Sequence, residues 1–163
     1  WMEHEEFAGK TTAEEPLALV TPHSKYRLHS QLAYSSLRKL YAVNDREPVL
    51  IHTEDAAARG IANGDIVRIF NKRGQVLAGA VVTDGIIKGT IALHEGAWYD
   101  PMDLGTAEKP LCKNGNPNVL TRDEGTSKLA QGNSPNTATV QVEKFTGVAP
   151  EVTVFKEPKY TQA

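Results

Sequence analysis

The side chains best suited to chemistry in this 163-residue sequence gather in three polar stretches, residues 23–31, 96–101 and 114–136. They include His23, His29, Arg27, Gln31 and Gln131, with asparagines at 114, 116, 118, 133 and 136. Imidazole, amide and hydroxyl groups both donate and accept hydrogen bonds, so the set suits a heteroaromatic ligand with many polar edges. Each buried edge left unpaired would cost about 1–3 kcal/mol. Lys25, Arg27, Lys113 and Arg122 add local positive charge suited to a phosphate. The same Asn, Ser and Gly residues also make ordinary turns, and composition by itself leaves both readings open.

Other chemistries find less support. His94-Glu95 continues as Gly96-Ala97-Trp98, with no second histidine at the spacing of a zinc helix, and His23 and His29 have no carboxylate beside them in the sequence. No metal ligand is therefore assigned. No Gly-x-Ser-x-Gly elbow occurs, and Cys112 lies between Leu111 and Lys113 without a local histidine, so no catalytic residue is assigned either. As the single cysteine, it also excludes an intrachain disulfide framework and a thiolate-rich metal site. Asn114-Gly115-Asn116-Pro117 lacks the glycine-rich run ending in Gly-Lys-Ser/Thr of a phosphate loop.

The elements that must carry these loops read mainly as β. Leu17-Ala18-Leu19-Val20 is an apolar run that stops at Thr21-Pro22 and delivers the first polar loop. Leu32, Leu37, Leu40 and Tyr41 give a loose helical spacing up to Asn44-Asp45. Pro48 to His52 predicts a strand, Thr53 a helix cap with Glu54 and Asp55 in the first turn, and Gly60 the helix end. Ile66 to Phe70, Gln75 to Thr83, Thr90 to His94 and the alternating Ala138 to Glu143 predict further strands separated by Gly turns. Together they suggest a small closed β-barrel with helical insertions. Residues 96–136 form an unusually long connection, and its Trp98, Tyr99, Leu104, Val119, Leu120 and Leu129 argue for order.

A formal net charge of -2 gives no global attraction for nucleic acid or an anionic membrane, so neither partner is expected. No stretch approaches the ~20 apolar residues of a membrane span. The start, from Trp1 to Phe7, lacks a basic leader followed by an apolar run, and Trp1 ahead of Met2 suggests a piece of a longer polypeptide. Residues 1–15 read as a tail or linker, 16–147 as the folded domain and 148–163 as a second tail.

Four loop motifs occur in chain order. They are Thr21-Pro22-His23 with Arg27-Leu28-His29-Ser30-Gln31-Leu32; His94-Glu95-Gly96-Ala97-Trp98-Tyr99-Asp100-Pro101; Gly115-Asn116-Pro117-Asn118-Val119-Leu120-Thr121; and Ser127-Lys128-Leu129-Ala130-Gln131-Gly132-Asn133. As a set they resemble the last domain of the trimethylamine N-oxide/dimethyl sulfoxide reductase family, over most of Pro16 to Phe145. The Trp-Tyr-Asp-Pro loop paired with Asn-Pro-Asn-Val-Leu-Thr is most similar to the branch that reduces trimethylamine N-oxide, dimethyl sulfoxide or biotin sulfoxide.

This resemblance implies a double-psi β-barrel of the aspartate decarboxylase-like kind, covering bis(molybdopterin guanine dinucleotide) with molybdenum. It implies cofactor contacts from Thr21, Pro22, His23, Arg27, His29, Ser30, Gln31, Asn116, Asn118, Gln131, Gly132 and Asn133, with Ser134 a weaker member. Trp98 and Tyr99 would line the substrate approach or pack the loop. The implied reaction is oxygen-atom transfer from an N-oxide or S-oxide, in anaerobic respiration, with a cytochrome electron donor. The molybdenum ligand belongs to an upstream domain of the same polypeptide, so this chain alone is expected to be inactive. Trimethylamine N-oxide reductases imply the periplasm, biotin sulfoxide reductases the cytoplasm. Two other uses of such a barrel remain to be compared: an adaptor binding a protein or peptide in an apolar groove, and a pyruvoyl-dependent decarboxylase. The latter needs a Gly-Ser pair that is absent here.

Overall fold

Four consecutive apolar residues in a short strand bury both faces only where the sheet closes on itself or is covered. The computed structural model describes residues 4–157 and 160, and Leu17–Val20 is its first strand, β1. The others are β2 (Pro48–Ile51), β3 (Ile66–Phe70), β4 (Gln75–Val82), β5 (Thr90–Leu93), β6 (Leu111–Cys112) and β7 (Ala138–Lys144). One short helix, α1 (Thr53–Ala57), and several 3-10 turns complete the regular structure among the described residues.

The strands run in the order β2-β5-β1-β7-β3-β4, and β2 also pairs with β4, which closes a six-stranded barrel. β1 and β5 are parallel, as are β2 and β4, while the remaining barrel pairs are antiparallel. This is the double-psi β-barrel. β6 prolongs the barrel by lying parallel to the start of β4. Closure leaves no barrel strand with an unpaired edge. β3 shows the resulting pattern, with Val67 and Ile69 fully buried and Ile66, Arg68 and Phe70 partly exposed. Leu19, Val49, Ile51, Ile91, Leu93 and Val140 complete the centre of the core.

Several local expectations are corrected. The leucines of residues 32–41 do not form an α-helix. Leu32 lies in the left-handed region at φ 65°, only Ser36–Leu40 makes a 3-10 turn, and Leu32, Leu37 and Leu40 are exposed. The residue this turn buries is Arg38. The cap of α1 is His52, whose ring nitrogen accepts from the Glu54 backbone N–H at 3.2 Å. Thr53, expected in that role, instead bonds the Asp84 carboxylate through its hydroxyl. Within residues 96–136, Leu120 is buried, but Leu129 is 99% exposed and supplies none of the order expected from it.

The two stretches read as tails lie against the barrel where they are described. Glu6 is buried, and its carboxylate accepts from Arg73 at 2.8 and 2.7 Å. Glu15 accepts from the Thr139 hydroxyl at 2.6 Å and from the Lys72 backbone N–H at 3.1 Å. At the other end, Thr153 donates to Asp100, and Phe155 stacks near Tyr34 with ring centroids 6.0 Å apart. The Trp1-Met2 pair lies outside the described residues. No helix among the described residues is long and apolar enough to cross a membrane.

The Glu6 clasp makes stability depend on pH. Its hydrogen bond from Arg73, helped by Lys72, outweighs burial and lowers the carboxyl from 4.5 to about 2. Because the folded value is the lower one, the stabilisation is complete above the unfolded value and is lost as pH falls toward 2. We expect Glu6→Gln to cost about 2 kcal/mol near neutral pH in urea unfolding, with the gap from the parent closing in strong acid. A gap that does not change with pH would contradict this.

Candidate functional site

β1 and β5 are parallel neighbours in register from Ala18 opposite Thr90 to Val20 opposite Ala92, so their C-terminal ends open side by side. Pro22 has no N–H with which to continue the ladder, and the chain leaves the barrel there. The following loop therefore meets the loop after β5. The Glu95 N–H donates to Pro22 O at 3.1 Å, and His23 and His29 come to lie against Glu95.

Arg27 fixes this arrangement from beneath. It is buried, and its Nε donates to His29 O at 3.0 Å and its Nη2 to Glu95 O at 2.7 Å. Its Nη1 reaches Glu47 Oε2 at 3.0 Å and Tyr41 Oη at 3.2 Å. Glu47 is 1% exposed and also accepts from Arg38 at 3.4 Å. Burial pushes the Glu47 carboxyl up, against the pull of Arg27 and Arg38. Arg38 in turn donates to Asn114 Oδ1 at 3.1 Å, and Asn114 Nδ2 donates to Trp98 O at 3.0 Å. One buried polar network thus ties together all three polar stretches.

Two glycines allow the close approaches. A Cβ on Gly96, at φ 92°, would sit 2.1 Å from His29 O, and one on Gly115, at φ 80°, would sit 2.5 Å from Glu47 Cβ. Only glycine meets both the positive φ and the contact.

Above this network is a hollow of about 410 Å³. It is lined by Thr21, Pro22, His23 and His29, by Glu95, and by Asn118, Asn133, Pro135 and Asn136. The structure thus gathers six of the residues expected to contact a cofactor, Thr21, Pro22, His23, His29, Asn118 and Asn133, with Asn136 beside them. Asn136 Oδ1 accepts from the Thr21 backbone N–H at 2.6 Å, pinning the loop after β1 to the turn before β7. The Asn118 side chain is exposed.

Other members of the set lie elsewhere. Arg27, expected to pair with phosphate, spends its donors on internal partners. Lys113 is buried against Asp100 at 3.1 Å, and Arg122 pairs with Glu5 at 3.4 Å and with Glu124. Asn116 caps the turn Pro117–Val119 by accepting from the Asn118 N–H at 2.9 Å. Ser30, Gln31, Gln131 and Gly132 are exposed outside the lining, with Gln131 Nε2 donating to Ser127 O at 2.9 Å. Ser134 lines a different, smaller hollow with Arg122. Trp98 packs against Phe155 at 5.5 Å and donates its indole N–H to Ser30 O at 3.0 Å, whereas Tyr99 is 41% exposed.

The sequence reading placed no carboxylate near the two loop histidines, and the fold corrects this with Glu95. One nitrogen from each ring and a carboxylate oxygen all lie within 4.8 Å of one another, a spacing that could hold an ion. Direct contacts of 2.7 Å to His23 Nδ1 and 3.3 Å to His29 Nδ1 account for the cluster without one. Burial raises the Glu95 carboxyl, but its bonds to His23 and His29 together leave it below the usual range. Burial, with Arg27 nearby, lowers the His94 imidazole. A parallel pairing of the two preceding strands was the signal that would have found Glu95.

Two substitutions test this framework. Arg27→Ala leaves Glu47 buried without its nearest cation and is expected to cost about 3–5 kcal/mol in urea unfolding; a loss below about 1 kcal/mol would show that the network is not structural. Gly96→Ala forces the loops apart at His29 and is expected to cost about 2 kcal/mol or more; an unchanged midpoint would contradict the contact.

Comparison with known proteins identifies the family and the fold. The family model described as "Molydopterin dinucleotide binding domain" matches residues 17–139. Trimethylamine-N-oxide reductase from Haemophilus influenzae is 80% identical over 98% of this chain, and the chain spans 19% of that protein. Dimethyl sulfoxide/trimethylamine N-oxide reductase from Cereibacter sphaeroides is 54% identical, again over 98% of the chain and 19% of the relative. Trimethylamine-N-oxide reductase 1 from Escherichia coli is 55% identical over 89% of the chain and 17% of the relative. Acetylene hydratase from Pelobacter acetylenicus shares the fold, with a TM-score of 0.68 at 14% identity over 89% of this chain and 21% of that one. This closed barrel, with residues from all four motif loops lining one polar hollow and the family model matching residues 17–139, belongs to the molybdopterin dinucleotide-binding domain family.

Proposed function

We propose that this chain is one domain of a longer molybdenum oxidoreductase that reduces N-oxides or S-oxides, with trimethylamine N-oxide the first candidate, and that its hollow holds part of bis(molybdopterin guanine dinucleotide). The observation that carries this reading is the polar lining of the hollow: two imidazoles, a carboxylate and three amides, with the His29 and Glu95 loops tied together by Arg27. Such groups fit the polar edges of a pterin or guanine ring and the intervening polar linkage. An adaptor would need an apolar groove here, and these side chains disfavour it. The high identity to reductases over nearly the whole chain supports the choice of reaction.

When bound, the cofactor supplies the oxygen-atom transfer and its two-electron redox change. His23, His29, Asn118 and Asn133 would contact it directly, with Thr21 and Pro22 shaping the wall. Arg27 and Asn116 would act by holding those loops in place. Ser30, Gln31, Gln131 and Gly132 would take part from the rim. Trp98 packs the loop, and Tyr99 faces outward, where a substrate approach would pass. The relatives are about five times longer than this chain, at 19% coverage, so further domains of the same polypeptide would complete the cofactor site and supply the metal ligand. A periplasmic location, a role in anaerobic respiration and a cytochrome electron donor belong to the same proposal.

In the full-length polypeptide, His29→Ala and Asn118→Ala are each expected to lower retained dinucleotide about fivefold, measured as pterin released per purified chain. Unchanged retention in both would overturn the assignment.

A further inference from the structure

Glu95 offers one carboxylate to two rings. Its Oε1 lies 2.7 Å from His23 Nδ1 and its Oε2 lies 3.3 Å from His29 Nδ1. An ionised carboxylate only accepts, so each Nδ1 that bonds it carries the proton. A neutral imidazole has a single N–H, and Nε2 of both rings is then a bare acceptor. Both rings line the hollow and are exposed, and among the described residues neither Nε2 has a protein partner. The rings stand at 79° with centroids 5.0 Å apart, so they address two different positions of a ligand.

The residue that bears the carboxylate is anchored. Its backbone is held on both sides, with the N–H on Pro22 O and the carbonyl under Arg27 Nη2, and Gly96 is pressed on His29 O. A group so anchored sets the tautomer of the rings it bonds, as an outer carboxylate does for a metal-bound histidine.

We propose that Glu95 is a positioning residue that fixes His23 and His29 as a pair of Nε2 acceptors, so that this wall of the hollow takes an N–H-rich heterocyclic edge and not a phosphate. Phosphate oxygens are acceptors, and here they would face two bare acceptors and a negative charge. The matching chemistry is a 2-amino-4-oxopyrimidine edge, which pterin and guanine share. This inference rests on the dinucleotide reading and narrows it, assigning the two histidines to a ring edge and not to the polar linkage between the rings.

The test uses the chain labelled with 15N-histidine at about pH 8. Long-range proton–nitrogen spectra, assigned with His23→Gln and His29→Gln, are expected to show both rings protonated at Nδ1. Glu95→Gln should mix the tautomers, and Glu95→Asp should restore them in part. Titration with 6-hydroxymethylpterin, guanosine monophosphate and inorganic pyrophosphate then identifies the ligand edge. Shifts of the His23 and His29 signals with either heterocycle support the proposal and say which ring is seated there, with affinity about tenfold weaker in Glu95→Gln. Nε2–H rings in the parent, unchanged tautomers in Glu95→Gln, or shifts with pyrophosphate alone would overturn it. If His29→Ala and Asn118→Ala strip the dinucleotide from the full-length polypeptide while Glu95→Gln leaves the tautomers unaltered, the positioning role falls and the cofactor reading stands. If the alanine variants keep their dinucleotide, the cofactor reading falls whatever the tautomers.

Discussion

The buried pair of Arg27 and Glu47 is the interaction on which the candidate site depends. A guanidinium removed from water must place its donors on acceptors or forfeit several kcal/mol. Arg27 places them on the carbonyls of His29 and Glu95, on Tyr41 and on Glu47, and so converts a solvation requirement into a fixed distance between two loops. Arg38 and Asn114 extend the constraint to the third polar stretch. The His23 and His29 imidazoles, which line the hollow, stand on this base.

The barrel makes that base possible. Parallel pairing of β1 with β5 brings two sequence-distant loops to the same end, and closure through β2 and β4 holds their stems in a core of small branched residues. Each strand contributes little on its own, being only four to eight residues long. The price of such short strands is that loop positions must be set by side chains, which explains why so many of the polar residues prove internal.

Much of this was legible in the sequence. Apolar runs and alternation located the barrel strands, because burial on one or two faces leaves a period that a reader can count. The motif loops were visible in order, and the hollow collects Thr21, Pro22, His23, His29, Asn118 and Asn133. Partners set by tertiary structure were not. Arg27 resembles a phosphate ligand until Glu47 is seen beside it, and Glu95 lies 72 positions beyond His23. The leucines after Gln31 have helical spacing without a helix, since Leu32 takes a left-handed backbone and the leucines face outward. The terminal stretches have no periodicity because isolated groups, Glu6, Glu15, Thr153 and Phe155, anchor them.

A structure of the cofactor-loaded full-length polypeptide tests the central claim most directly. The account predicts dinucleotide atoms within hydrogen-bonding distance of the His29, Asn118 and Asn133 side chains, with Arg27 still seated on Glu47. A dinucleotide bound wholly by other domains, leaving this hollow to solvent or to protein side chains, would contradict it.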